Sequence, residues 1–439
     1  MLKKLSKAYL FITLILFMAT LPFVENNYLI FYVNIFCFFI YYFILHSEVR
    51  NRHTIELKTI VFYSSLLSVS IYNLVSYIYE GHFLMPNPAD ANNYDYYSKR
   101  LAQMNISEGI KYLSSLGWGI DDWGAPLFIS TFYRIIPSNL FINFIYIILG
   151  IFSAQGLFSI SRRFMSPNYA RVCAITFSIS SYMIYYYSSG LKEAIMVFLV
   201  IKMFEHYYKY QISKKNSSLI FMIISTALLI FFRPPIMFFF IGAIGIASLL
   251  QVKQRVSSAF LIIIVIAAVL ISSSLLESNY NRFLRGGEIG NVDEAMVYQG
   301  NKVFTYFVNT LAQLIGPLPT VSPDINSGTL SFYSSGLIFR VLISFPFWVG
   351  VYFIIKRKII VLYPLIFFII MEMVSLILII EGLELRKSLV HLPFVYVIAF
   401  WYMNKYDNKE SLFSNRVVKN MLGIVPLTAF LIILFWNLR

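Results

Sequence analysis

The sequence predicts an all-α fold: a polytopic helical membrane protein with about thirteen transmembrane helices. Three observations lead there. Hydrophobic residues make up 59% of the chain and charged residues 13%, against roughly a quarter charged in an average soluble domain. That much apolar surface exceeds what one soluble core can bury. Apolar stretches of near-spanning length recur from end to end, and the basic residues between them alternate from one side to the other.

In chain order, Met1–Lys7 leads straight into the first apolar run with no small-residue cleavage site, so that run is expected to stay as a span. Spans are expected near residues 8–24, 28–46, 58–79, 138–160, 169–188, 191–207, 218–232, 235–251, 258–275, 336–355, 359–380, 388–403 and 421–437. With the N-terminus in the cytoplasm, one set of short loops carries Arg50 and Arg52, Arg162 and Arg163, then Lys209, Lys214 and Lys215. Lys253 and Arg255, the triplet Lys356, Arg357 and Lys358, and Lys405, Lys409, Arg416 and Lys419 follow on that same side. This is the positive-inside pattern. The net charge of +14 is therefore a topology signal, and nucleic acid is excluded as a partner. The two cysteines, Cys37 and Cys173, sit in separate expected spans and form no disulfide framework or metal-ligand spacing.

The whole chain, 1–439, forms one membrane domain whose two long loops, 80–137 and 276–335, both fall on the outer side. The first carries Asp90, Asp95, Glu108, Asp121 and Asp122 among aromatic residues, with prolines at both ends. Loops of that length are either functional or disordered, and the aromatics argue for a folded one. The second has turn formers at Gly286, Gly287, Pro317, Pro319 and Pro323, and cations at Arg282 and Arg285. Between its turns, residues 302–315 have helical periodicity and are expected to lie along the membrane surface.

Cations that break the positive-inside pattern are informative. Lys192, Arg233, Arg340, Arg386 and Lys387 all fall at the outer end of the membrane, where topology gives no reason for them. Cations converging at one depth suit a phosphate or diphosphate at headgroup level. The alternative is snorkelling, or pairing with Glu193, Glu381 and Glu384. Arg233 stands out because Pro234 and Pro235 stop ordinary helix continuation and hold its side chain at a re-entry point. Among the acids, Asp90 is either an N-cap or a general base for a sugar hydroxyl. Asp121 and Asp122 offer the same base, or a ligand for a divalent ion, although two adjacent acids do not make a metal site alone. No cofactor is otherwise implied. Glu372, inside an expected span, needs a partner or a cavity, and His391 is either interfacial or in a cavity beside Arg386.

These motifs resemble a known class. The D-x-x-x-Y pair Asp90 and Tyr94, the W-G-x-P-L stretch at Trp123, Gly124, Pro126 and Leu127, and S-G-L-K-E-A at Ser189–Ala194 resemble polyprenol-dependent membrane glycosyltransferases of the GT-C class. With the R-P turn at Arg233 and R-K-S-L-x-H-L-P from Arg386 to Pro393, the spacing is similar to that of O-antigen and capsule repeat-unit polymerases of the Wzy type. The resemblance implies a multi-pass protein of the bacterial inner membrane acting on an undecaprenyl-diphosphate-linked oligosaccharide, with a chain-length regulator protein as partner. It further implies Asp90 as base, with Lys192, Arg233 and Arg386 facing the donor phosphates. The segment WGIDDWG departs from the W-W-D-Y-G motif of oligosaccharyltransferases, which argues against protein N-glycosylation. Two other readings stay open: a GT-C transferase using a polyprenyl-phosphate sugar, and a lipid-linked oligosaccharide flippase. A flippase would line a mid-membrane cavity with charge, whereas here the ionisable residues gather toward one end.

The topology is directly testable. Reporter fusions after Lys215 and Arg357 are expected to report cytoplasm, and fusions near Asn105 and Asn291 the periplasm. A cytoplasmic signal from either long loop would overturn the orientation.

Overall fold

A computed structural model of the chain describes residues 1–20, 35–36, 38–43, 46, 57–80, 90–251, 302–319, 334–378, 385–408 and 415–437. Every regular element among them is a helix. Four are long and apolar enough to cross a membrane: Leu57–Ile78, Asn139–Ser161, Ser334–Lys356 and Ile360–Ile377. A fifth span is formed if the Ser181–Ser189 and Glu193–Ser213 helices, bent by 117° at their junction, are counted as one. The all-α class stands, these helices are compatible with a membrane protein, and the count of about thirteen is not reached among the described residues. The expected span 258–275 lies outside them. Others are short apolar helices: Asn216–Phe231, Pro234–Leu250 and Ile424–Leu434.

Local chemistry explains where the structure parts from the sequence reading. The stretch 169–188, expected as one span, is two helices, Pro167–Ser178 and Ser181–Ser189. The Ser180 hydroxyl at the break donates back to the Phe177 carbonyl at 2.7 Å and competes with helix continuation. Gly190 then adopts φ +71, a left-handed conformation that only glycine enters without strain, and the chain turns into Glu193–Ser213. The last buried helix runs Leu392–Asp407 rather than 388–403, because Pro393 in its first turn sets the start.

That Leu392–Asp407 helix is the axis of the core. It is buried on every side from Leu392 to Asn404, as a central helix must be. Ser334–Lys356 packs along it most extensively, with Pro167–Ser178 against another face. Around them, Glu193–Ser213 lies between Asn139–Ser161 and Asn216–Leu228, and Pro234–Gln251 pairs with Tyr363–Leu378. Lys302–Ile315 forms the helix expected from its periodicity; it packs on Tyr363–Leu378 and Ser334–Lys356, with Trp348 Nε1 donating to the Leu314 carbonyl at 2.7 Å.

From residue 90 onward, the first long loop is folded. Its helices are Asp90–Leu101, Ile106–Ser115 and Gly124–Tyr133, with a short 3₁₀ turn at Ile120–Asp122. Asn105 and Glu108 form a reciprocal capping box, with bonds of 2.9 and 3.1 Å. The Tyr133 hydroxyl donates to Asp95, whose carboxylate also holds Lys99 at 2.7 Å. Tyr97 meets Trp118 edge-on at 4.6 Å. Glu108 and Asp95 are thereby occupied in folding the loop, which leaves Asp90, Asp121 and Asp122 for chemistry.

Candidate functional site

Four irregular segments meet at one end of the bundle: the bend Gly190–Lys192, the turn Leu229–Arg233, the short helix Leu385–Ser388, and the loop stretch Ile120–Gly124. Each is a place where a helix breaks, so each delivers side chains that a straight helix would direct elsewhere. Gly124 lets the loop dock. A Cβ there would lie 2.6 Å from the Phe231 carbonyl oxygen and 2.8 Å from the Phe232 ring, so only glycine permits the approach.

The junction is filled by alternating charge. Glu193, fully buried, accepts a hydrogen bond from Arg386 Nε at 2.6 Å, while its second carboxylate oxygen has no hydrogen-bond partner among the described residues. The other side of the Arg386 guanidinium pairs with Asp90 through Nη2. Lys192, also buried, reaches Asp122 Oδ1 at 2.5 Å and the Asp121 carbonyl at 3.2 Å. Arg233 is half-buried; it donates to the Lys387 carbonyl at 3.3 Å and forms no ion pair among the described residues. Arg386, Lys192 and Arg233 are the cations whose fields act on Glu193. Asp90 and Asp122 lie at the rim, with side chains 35% and 44% exposed.

The neighbours of this junction respond to it. Tyr94, one turn beyond Asp90, is buried, and its phenol is pushed up from its ordinary pKa by that burial and then by Glu193, Asp122 and Asp90. It stays a neutral hydrogen-bond donor. Burial works against the charge on Arg386, but Glu193 and Asp90 outweigh it and raise the guanidinium above its ordinary pKa. Beneath them, Glu372 and His391 face each other at 3.2 Å, both buried, with Arg233 also acting on Glu372.

The structure therefore brings together Asp90, Tyr94, Asp121, Asp122, Lys192, Arg233, Arg386, Lys387 and His391. It does not bring Arg340 there. That residue is 1% exposed within the bundle, where its guanidinium faces Tyr182 and Tyr396 and its Nη1 lies 3.5 Å from the Ile315 carbonyl. Arg282 and Arg285, and the acids Glu381 and Glu384, lie outside the described residues. The pairing alternative holds for Arg386 with Glu193. The residue under-read in the sequence is Glu193 itself. A glutamate heading the apolar run IMVFLVI is costly unless several cations serve it, and that signal was present.

Among the described residues, no group of three or more His, Cys, Asp or Glu side chains is placed to hold a metal ion. Asp121 meets Lys192 only through its backbone carbonyl, so the two adjacent acids do not converge on one point. No family model, no curated protein and no solved structure matches the chain.

Glu193 is expected to behave as a shared counter-ion. Glu193→Gln leaves cations buried without their carboxylate and is expected to destabilise the protein by about 3–5 kcal/mol. Reversible unfolding in mixed detergent micelles measures this. The double variant Glu193→Gln/Arg386→Gln should lose less than the sum of the singles, by about 1 kcal/mol or more. Strict additivity would show that the two residues do not act as a unit.

Proposed function

We propose that this protein is a surface-polysaccharide polymerase. It transfers a growing glycan from one undecaprenyl diphosphate to the sugar of another lipid-linked repeat unit, at the outer face of a bacterial inner membrane. The observation that carries the reading is the convergence of Lys192, Arg233 and Arg386 around one buried carboxylate at a junction of helix breaks. The basic loops of the sequence, which alternate, put that junction on the outer side. The motif resemblance and the expected thirteen-span, GT-C-like architecture belong to the same proposal.

The charge pattern supplies a mechanism. Glu193 has no exposure and serves as the permanent counter-ion. Asp90 and Asp122 hold Arg386 and Lys192 from the rim, as exchangeable partners. A diphosphate entering the junction replaces them with phosphate oxygens, and the planar guanidinium fork suits that exchange. Arg233, which among the described residues donates a hydrogen bond to the Lys387 carbonyl and forms no ion pair, faces the same oxygens. Displaced from Arg386, Asp90 is free to act as a base. The acceptor hydroxyl oxygen then attacks the donor anomeric carbon, and its proton passes to Asp90. The bond from that carbon to the diphosphate oxygen breaks, and the electron pair leaves with the diphosphate. Cations fixed in a dry site stabilise that developing charge without reorganising. Tyr94, neutral and one turn from Asp90, stands as a donor to the sugar or the phosphate.

A single-sugar transferase using a polyprenyl-phosphate donor would use the same groups, and genetics separates the two. Loss of a polymerase should leave one short lipid-linked repeat and no ladder of chain lengths. Loss of a decorating transferase should leave the ladder and change only its composition. The deletion strain is expected to show the single repeat; a full ladder would overturn the polymerase reading. Arg233→Ala is expected to reproduce the deletion while the protein still accumulates in the membrane, with Arg233→Lys milder. Asp90→Asn should lower activity by about 10²–10⁴-fold, the range of general-base catalysis.

A further inference from the structure

The first loop carries a cluster of aromatic rings that the proposed chemistry leaves unused. The Asp90–Leu101 helix sets Asp90, Tyr94 and Tyr97 on one face, at i, i+4 and i+7. Asp90 meets Arg386 at the charged junction, and Tyr97 lies about 10 Å further along the helix, at a rise of 1.5 Å per residue. Other rings gather on Tyr97. Trp118 meets it edge-on at 4.6 Å, and Tyr112 and Tyr96 stand 6.2 and 5.2 Å from it. None of these pairs is stacked face to face.

Local structure holds the rings in place. Leu101 packs so closely on Gly109 that a Cβ there would lie 3.0 Å from Leu101 Cδ2, and this contact brings the Ile106–Ser115 helix with Tyr112 up to Tyr97. Gly117, at φ +73, turns the chain out of that helix, and Trp123 Nε1 donates to the Trp118 carbonyl at 3.2 Å. The rim of the cluster is polar. Arg100 lies over the Tyr96 ring at 4.6 Å and donates to the Tyr112 hydroxyl at 3.1 Å. The Asp121 carboxylate folds back toward Gly119, next to Trp118 in the chain, where a Cβ would lie 2.3 Å from Oδ1. Tyr96 is 49% exposed, and Asn92, Asn93, Lys99 and Arg100 share that side of the helix with it. Tyr97, Tyr112 and Trp118 are half-buried.

We propose that this cluster is a carbohydrate-binding platform, which takes the pyranose rings of the glycan whose diphosphate occupies the junction. That placement of the glycan rests on the polymerase reading; the binding of sugar does not. A pyranose has an apolar C–H face and a rim of hydroxyls. The C–H face suits an aromatic ring, whose negative face attracts the partly positive hydrogens. The hydroxyl rim suits Asp121 as acceptor and Arg100 as donor. A lipid tail would favour an apolar flank, whereas the exposed side of the Asp90–Leu101 helix bears amides and charges. The same helix gives continuity with the junction: its first residue stands at the diphosphate, and its face leads past Tyr94 to Tyr97 and Trp118.

The test uses the full-length protein purified in a detergent without a sugar headgroup. Its probes are the free methyl pyranosides of glucose, galactose, rhamnose and N-acetylglucosamine. Saturation-transfer NMR, with the protein's aromatic protons irradiated, is expected to carry signal to the ring C–H protons of at least one of them. Trp118→Leu should weaken binding of that sugar by about two- to tenfold, the range for one ring contact, and Trp118→Phe should keep most of it. Tyr96→Ala removes the most exposed ring, where folding tolerates the change, and is expected to weaken binding to a similar degree. Transfer to none of the sugars, or an affinity that either Trp118→Leu or Tyr96→Ala leaves unchanged, would overturn the proposal. The platform and the polymerase reading fail separately. Sugar binding beside a full ladder in the deletion strain would keep the platform and reject the polymerase; a single short repeat without sugar binding would do the reverse.

Discussion

A fully buried carboxylate at the head of an apolar helix is the constraint around which this end of the molecule is arranged. Stripping an ion of water costs several kcal/mol, and the loss is offset only where opposite charges and hydrogen bonds replace the water. Glu193 obtains that replacement from three separate breaks in helical order. Gly190 bends the chain so that Lys192 and Glu193 sit together, Pro234 and Pro235 stop a helix at Arg233, and the short Leu385–Ser388 segment presents Arg386. None of these cations would be held at this depth by its own local sequence. The carboxylate gathers them, and they in turn make its burial tolerable.

The same balance would let the proposed site be stable when empty and still take up a diphosphate. Were the cations bare, their mutual repulsion in a low-dielectric junction would open it. Rim carboxylates from the first loop neutralise part of the charge, and their partial exposure makes them replaceable. The loop is rigid enough to present them because its other acids and aromatics fold it: Asp95 with Tyr133 and Lys99, Glu108 in a capping box, and Trp118 against Tyr97. The approach at Gly124 then seats the loop on the Arg233 turn.

Much of this was legible in the sequence, and the parts that were not share a cause. Helical class and membrane character follow from composition and the length of the apolar runs, which act locally. Outlying cations such as Lys192, Arg233 and Arg386 announced themselves by violating the positive-inside pattern. Span boundaries were less legible, because hydropathy registers apolar character and not helix breaks. The serine-rich break at Ser178–Ser181 and the left-handed Gly190 cut through runs that look continuous. Arg340 shares the depth signal of the other cations but packs against tyrosines inside the bundle, a distinction that only tertiary packing makes. Glu193 was legible as a partner for the cations, but its convergence with Arg386 and Arg233 was not, since those residues lie far from it in the chain.

The central claim is that phosphate oxygens take the places of the rim carboxylates while Glu193 stays. Binding of undecaprenyl diphosphate to the purified full-length protein, measured by native mass spectrometry across a concentration series, tests it most directly. If the claim holds, Asp90→Asn, which removes a competitor for Arg386, binds the diphosphate as tightly as the unaltered chain or more tightly, and Arg386→Gln loses about tenfold or more, in the range of a charge-assisted hydrogen bond. Equal weakening by Asp90→Asn and Arg386→Gln would contradict it, because the acid would then be holding the ligand rather than giving way to it.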